Sequence, residues 1–172
     1  MDVLTTARLR LMPATADLTR LEIGDRNEFF ARLGVAPIPD WPSPTLAEVL
    51  PFFLEQLETD LSLVGWLSWY WILTSSHGDE LVGGGGFKGR PVGGTAEIGY
   101  EIRPAHRRSG LATEAVDALV AWALSHADVD GVVAETMFDN IASLALLRKL
   151  NFVHAGDGSE AGLLSFIRTR TS

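Results

Sequence analysis

The chain has 172 residues, a length that fits one domain of about 100–200 residues with a sizeable core better than it fits two. Its 14 Lys and Arg against 22 Asp and Glu leave a net charge of −8, which disfavours a generic nucleic-acid binder, because phosphate neutralisation needs a basic surface. With 47% hydrophobic and 21% charged residues it has the composition of a packed domain rather than a disordered segment, and the lack of cysteine excludes disulfides, thiolate zinc sites and a cysteine nucleophile.

The opening Met1-Asp-Val-Leu-Thr-Thr-Ala-Arg8 carries an acid and an arginine where a secretory leader would hold a long apolar run, so a cytoplasmic location is expected. Thr6-Ala7-Arg8-Leu9-Arg10-Leu11 alternates with period two and stops at Pro13, which predicts a first strand over residues 8–12. Leu18, Leu21, Ile23, Phe29, Phe30 and Leu33 predict one or two short helices between Asp17 and Arg32, ended by Gly34. Prolines at 37, 39, 42 and 44 make the next stretch a loop, and Trp41 within it is the candidate lid residue. Ser43 or Thr45 caps a predicted helix running to about Asp60, with Leu46, Val49, Leu50, Phe53, Leu54 and Leu57 on one stripe.

Strand pattern then takes over: Trp66 to Leu73, a turn at His77-Gly78-Asp79, Glu80 to Lys88, a turn at Gly93-Gly94, and Thr95 to Ile102. The apolar stretch from Leu63 to Leu73 falls well short of the about 20 residues that cross a bilayer, and no membrane partner is expected. Trp66, Trp69, Tyr70 and Trp71 read as core first and as an acceptor pocket second. Gly83 to Gly86 lacks Walker spacing and points instead to close backbone approach beside a ligand, or to a bulge. Gly110 to Ser125 is strongly helical, Val132 to Thr136 is a short strand, Asn140 opens a helix through Leu150, and Phe152 to His154 and Leu163 to Arg168 complete the sheet. A meander followed by strand, helix, strand implies an α+β fold over residues 1–172, with a mixed, mostly antiparallel twisted sheet flanked by helices. An edge strand at the C-terminus leaves room for a homodimer.

The chemistry concentrates in Glu97 to Glu114. A strand feeds a short loop, Arg107-x-x-Gly110-x-Ala112, whose small residues sit where a helix begins, so that successive backbone N–H groups can point at one anion. Arg107 and Arg108 add local positive charge. The ordinary alternative is a tight strand-to-helix turn with solvated arginines. Period two puts Glu97, Gly99 and Glu101 on one strand face, with room at Gly99 between two carboxylates; solvent-facing acids are the plain alternative. Histidines 77, 106, 126 and 154 lack metal-ligand spacing, and no metal is expected.

These features resemble the GCN5-related N-acetyltransferase superfamily, whose pyrophosphate loop is Arg/Gln-x-x-Gly-x-Gly/Ala, matched by Arg107 to Ala112. Asn140-Ile-Ala-Ser143, followed by Lys149-Leu150-Asn151-Phe152, is similar to the family's Asn-x-x-Ser helix ending in Lys-Leu-Gly-Phe. Thr6-Ala7-Arg8-Leu9-Arg10-Leu11 and Glu97-Ile98-Gly99-Tyr100 resemble the RimJ/RimL-like branch that acetylates N-terminal amines of ribosomal proteins. The resemblance implies a V-shaped cleft between the strands ending at Ile102 and beginning at Val132, with acetyl-CoA as co-substrate. It implies backbone pairing of pantetheine at Tyr100, Glu101 and Ile102, phosphate contacts from Arg107, Arg108, Ser109, Gly110, Leu111 and Ala112, and a flank at Asn140 and Ser143. The expected catalytic pair is Glu97, taking a proton from the amine directly or through water, and Ser143, protonating or stabilising the leaving thiolate. Leu147 stands where many members carry a Tyr, and Asn151 stands where the motif has Gly. The expected reaction is direct attack of a primary amine, a protein N-terminus or a small cationic molecule, on the thioester; the rival reading is a non-catalytic acyl-CoA-binding or sensing domain. The acidic balance favours a cationic acceptor by long-range steering.

Overall fold

The architecture follows from alternating apolar strands that must bury both faces of a sheet, one face under each set of helices. The computed structural model describes residues 3–170; of the expected span 1–172, residues 1, 2, 171 and 172 lie outside the described residues. The elements are β1 (Leu4–Thr5), β2 (Leu9–Pro13), α1 (Ala16–Gly24), α2 (Arg26–Leu33), α3 (Pro44–Thr59), β3 (Ser68–Leu73), β4 (Glu80–Phe87), β5 (Thr95–Ile102), α4 (Leu111–Leu124), β6 (Gly131–Met137), α5 (Ile141–Lys149), β7 (Val153–Asp157) and β8 (Leu163–Thr169). They form one 8-stranded sheet in the order β1-β2-β3-β4-β5-β6-β8-β7. All neighbours are antiparallel except β5 and β6, which α4 joins as a parallel crossover.

One face packs Leu9, Leu11, Trp69 and Trp71 against Ala115, Val116, Leu119, Val120 and Ala123 of α4. The other packs Tyr70, Ile72 and Leu81 against Phe29, Phe30, Leu33 and Trp41. The tryptophan-rich strand is therefore core, with Trp69, Tyr70 and Trp71 at 0–1% exposure, and it lines no acceptor pocket. Trp41 is buried as well, at 2%, so the proposed lid residue is a plug in the core. The glycine run explains its position: a Cβ at Gly85 would stand 2.7 Å from Trp71, and one at Gly84 would stand 3.1 Å from Trp41. The close approach is thus made by the protein's own indoles and by neighbouring backbone rather than by a ligand, since a Cβ at Gly86 would collide with Leu67 C=O and one at Gly83 would stand 2.5 Å from Glu101 C=O, and a register shift opposite Trp71 and Ile72 supplies the bulge.

Ser43, not Thr45, caps α3, its Oγ accepting from Leu46 N–H. Asp25 divides the predicted helical stretch into α1 and α2 by ending one and capping the next. The C-terminal strand β8 is interior, between β6 and β7, which corrects its expected place at an edge; the sheet ends at β1 and β7. Among the described residues no helix is long and apolar enough to cross a membrane.

Candidate active site

The parallel pair β5 and β6 stays in register only from Thr95 and Gly131 to Ile98 and Ala134. Beyond that point β5 continues to Ile102 and β6 to Met137 without pairing, and a V-shaped opening results. On its other side β5 remains paired with β4, where Lys88 N–H donates to Glu97 C=O (3.0 Å) and Arg103 N–H donates to Val82 C=O (2.9 Å). Antiparallel alternation then points the odd-numbered main-chain groups of β5 at β4 and turns the N–H and C=O of Tyr100 and Ile102 into the opening. This is an unpaired strand edge facing a cavity, ready to bond an extended amide-bearing molecule.

The opening leads to the start of α4 in a cleft of about 730 Å³. Gly110, the N-cap, has φ 81° and no side chain bonds the helix's first N–H groups. Arg108 also adopts a positive φ of 61°. The loop therefore turns tightly into a helix whose free donors and macrodipole face the cleft, which favours an anion there. Tyr100, Glu101, Ile102, Arg107, Arg108, Gly110, Leu111, Ala112, Asn140 and Ser143, all expected cofactor residues, line this one cleft. Ser109 does not: its hydroxyl donates to His106 C=O and its C=O accepts from Arg8 (2.9 Å), so it shapes the loop from behind. The family-like opening residues brace the same helix. Glu114 accepts from Thr6 Oγ1 (2.6 Å), from Arg8 N–H (2.8 Å) and from Arg8 Nε (2.7 Å). Burial pushes the Glu114 carboxyl up, but these bonds outweigh it and hold the group below its ordinary range.

Across the cleft, Asn140 caps α5 by accepting from Ser143 N–H (3.1 Å). The Ser143 hydroxyl lies 2.8 Å from the Tyr100 hydroxyl, so strand and helix share a hydrogen bond at the cleft wall. Burial raises the Tyr100 phenol above its ordinary pKa, partly offset by that bond, and the phenol stays a donor at neutral pH. Leu147, at the expected Tyr position, is fully buried in the core. Asn151 does take the left-handed turn that a motif glycine would, at φ 60°.

Glu97 is not among the residues lining the cleft. It lies in the part of β5 still paired with β6, and its carboxylate is ion-paired with Lys88. Glu101 does line the cleft, and its Oε2 accepts from Ser43 Oγ (2.7 Å). Gly99 between them is exposed, and a Cβ there would meet nothing within 4 Å, so the space over this strand face is open. Sequence reasoning missed the Tyr100 hydroxyl, Lys149 and His106 in the cleft wall, and it missed Ser43 and Glu22 on the other side of β5. Period two did signal Tyr100, since it faces opposite to Glu97 and Glu101, and Lys149 stands in the Lys-Leu-Asn-Phe motif; nothing local in sequence signals the other three. Burial pushes Glu22 up to about 7 against the hydrogen bonds it accepts from Tyr70 and Trp41. A separate hollow of about 450 Å³, lined by Phe138, Leu144, Phe152 and Phe166, holds none of the expected site residues. Among the described residues there is no group of three or more His, Cys, Asp or Glu that could hold a metal ion.

Known proteins resemble this chain in sequence and in shape. An uncharacterized N-acetyltransferase of Bacillus subtilis (strain 168), YjdG, is 36% identical over 156 residues, covering 89% of this chain and 90% of the relative. Two solved structures share the fold at low identity. The ribosomal L7/L12 alpha-N-protein acetyltransferase RimL, solved with coenzyme A, superposes with a TM-score of 0.65 at 18% identity, covering 98% of both chains. The ribosomal-protein-S5-alanine acetyltransferase from Vibrio fischeri superposes with a TM-score of 0.67 at 13% identity, covering 98% of this chain and 97% of the other. The family model described as an acetyltransferase (GNAT) domain matches residues 8–153, and with a helix start, a split strand pair and an Asn-capped helix all meeting in one cleft, the chain belongs to that acetyltransferase family.

Proposed function

We propose that the cleft takes acetyl-CoA as co-substrate and that the enzyme transfers its acetyl group to a primary amine, a protein N-terminus or a small cationic amine. The observation that carries this reading is the uncapped start of α4 opening onto the same cleft as the unpaired edge of β5. Those two features suit the two halves of the molecule: orphan N–H groups, Arg107, Arg108 and Lys149 for its phosphates, and the main chain of Tyr100 and Ile102 for its amide-bearing arm. The structural neighbour RimL was solved with coenzyme A, which supports the same assignment.

When bound, acetyl-CoA supplies an activated acetyl group that a neutral amine attacks directly. The residues of the chain have three tasks. A main-chain N–H on the free edge of β5 polarises the thioester carbonyl, as an oxyanion-hole donor does. Glu97 stands outside the cleft lining and is paired with Lys88, so it takes the amine's proton only at a distance, through a water in the open space over Gly99, while Glu101, one oxygen held by Ser43, orients the incoming amine. Ser143, backed by the Tyr100 hydroxyl and the start of α5, donates to the leaving thiolate, so that the sulfur's charge is met as the C–S bond breaks. No covalent enzyme intermediate is required, in keeping with the absence of cysteine.

The test is a thermal-unfolding titration with acetyl-CoA, with ADP and acetate as controls, followed by acetyl transfer to peptides beginning with Ser or Ala and to spermidine. A ligand bound only by the folded chain raises stability by RT ln(1 + [L]/Kd). A saturable rise with turnover of one of these amines supports the enzyme. A rise without turnover of any amine points to the acyl-CoA-sensing reading, which the buried Leu147 at the expected Tyr position favours. No rise at millimolar acetyl-CoA overturns the assignment of the cleft.

A further inference from the structure

Glu22 has no part in the transfer described above, yet it is 2% exposed and joins three elements. Its Oε1 accepts from Trp41 Nε1 and its Oε2 from the Tyr70 hydroxyl, each at 2.7 Å. A buried carboxylate is costly to hold unless its oxygens are bonded, and here both are. The register places Met12, Tyr70, Gly84 and Glu101 in one row across β2, β3, β4 and β5. Side chains in such a row share a face, so the row leads from the Tyr70 hydroxyl to the Glu101 carboxylate with a gap at Gly84. The Trp41 ring fills that gap.

Two residues after Trp41, Ser43 bonds Glu101. The intervening loop has no regular structure and is held by side chains alone: Arg26 donates to the carbonyls of Ile38 (3.0 Å) and Trp41, and Asp40 pairs with Arg103 (2.9 Å), the residue that follows β5. Arg26 thus holds the main chain at both Ile38 and Trp41, and Asp40 ties the loop to the residue that follows the strand carrying Glu101.

We infer that Glu22 is a positioning residue for the amine acceptor: by accepting from Trp41 and Tyr70 together it seats residues 38–43 on β4, and the seated loop orients Glu101 through Ser43. The inference rests on Glu101 as the acceptor-facing carboxylate. With the space over Gly84 closed by Trp41, the open space over Gly99 is the amine's approach. Glutamine does not reproduce this arrangement: its one acceptor oxygen can serve only one of the two donors, and its Nε2 would have to donate to the Tyr70 hydroxyl, whose own proton then loses its acceptor.

The test uses the full chain carrying Glu22→Gln and three readouts. These are the acetyl-CoA-induced rise in Tm, amide hydrogen exchange over residues 41–47 with 107–113 as internal reference, and steady-state acetylation of whichever of a Ser-peptide, an Ala-peptide or spermidine the wild type turns over fastest. The expected result is a retained Tm rise, exchange at Leu46 and Ala47 at least tenfold faster, and an acceptor KM raised at least tenfold with the acetyl-CoA KM within twofold. Should Glu22→Gln fail to fold, Tyr70→Phe and Trp41→Phe each remove one donor and carry the same readouts. Unchanged exchange over 41–47 overturns the seating, and an unchanged acceptor KM, or equal rises in both KM values, overturns the positioning role. A wild type with no acetyl-CoA-induced rise overturns the cofactor assignment instead, and the exchange readout then still judges the seating by itself.

Discussion

The side of the cleft proposed for the phosphates is assembled from residues 100–113, nearly consecutive in the chain, with Lys149 added from α5, and it presents mostly main-chain groups. The side proposed for the acceptor draws Glu22, Trp41, Ser43, Tyr70, Gly84 and Glu101 from separate elements, joined by side-chain contacts and one missing side chain. A main-chain anion site needs a strand, a tight turn and a helix start, so a short stretch of sequence suffices to make it. A side-chain site needs packing to bring its members together, and it can vary from chain to chain while the cofactor side stays the same.

The contrast is broken most severely by placing a charge on the phosphate side. Ala112→Asp puts a carboxylate at the first turn of α4, where helix stability tolerates it but a bound phosphate does not. At about 4 Å and an effective dielectric of about 20 the repulsion is about 4 kcal/mol, so acetyl-CoA affinity should fall about a thousandfold. Calorimetric titration checks this, with the Tm of the free protein expected to stay put.

The acceptor side has its own signature in pH. Glu22 is faced by Tyr70 and Trp41, with Arg26 and Glu101 acting at longer range. Its carboxyl is raised from 4.5 to about 7 by burial, so the folded chain holds the proton that the unfolded chain releases. That contribution is fully present below about pH 4.5 and is lost as pH rises through about 7, roughly 3 kcal/mol in all. Chemical denaturation between pH 5 and 8 should show wild-type stability falling with pH and Glu22→Gln flattening the curve; parallel curves would remove Glu22 as the cause.

The reaction itself divides the two carboxylates. Glu97→Gln should lower kcat about 100-fold at saturating acceptor, the ordinary scale of a lost general base. Glu101→Gln should instead raise the acceptor KM with kcat nearly kept. Initial-rate kinetics against both substrates separate the cases, and exchanged phenotypes would reverse the two roles. Ser143→Ala should cost about tenfold in kcat, since the Tyr100 hydroxyl and the start of α5 remain to meet the thiolate. The smallest effect is expected at Asn151→Gly, where the left-handed φ of 60° is relieved: stability should rise by less than about 1 kcal/mol with no change in rate.

Sequence pattern reached the elements well where one residue type decides them. Pro13 ends β2, Gly34 ends α2, and Asn140 caps α5, each through its own backbone geometry or side-chain oxygen. It was least informative where the answer depends on who lies opposite. The glycines of β4 read as a ligand contact until Trp41 and Trp71 were seen lying on them, and Trp41 read as a lid because a proline-rich loop gives no sign of what it covers. Glu97 and Glu101 were equivalent by period two; only the point at which β5 leaves β6 puts one in the cleft and the other outside it.

By itself, the sequence determined the α+β class, the tight turn into an uncapped helix at Arg107 to Ala112 and the Asn-capped helix beyond it, because each is a local arrangement of main-chain donors and turn residues. Tertiary structure alone decided the Tyr100 and Ser143 pair in the cleft wall and the buried Glu22 cluster, because hydrogen bonds between residues 43 and 48 positions apart exist only after the sheet and helices have packed.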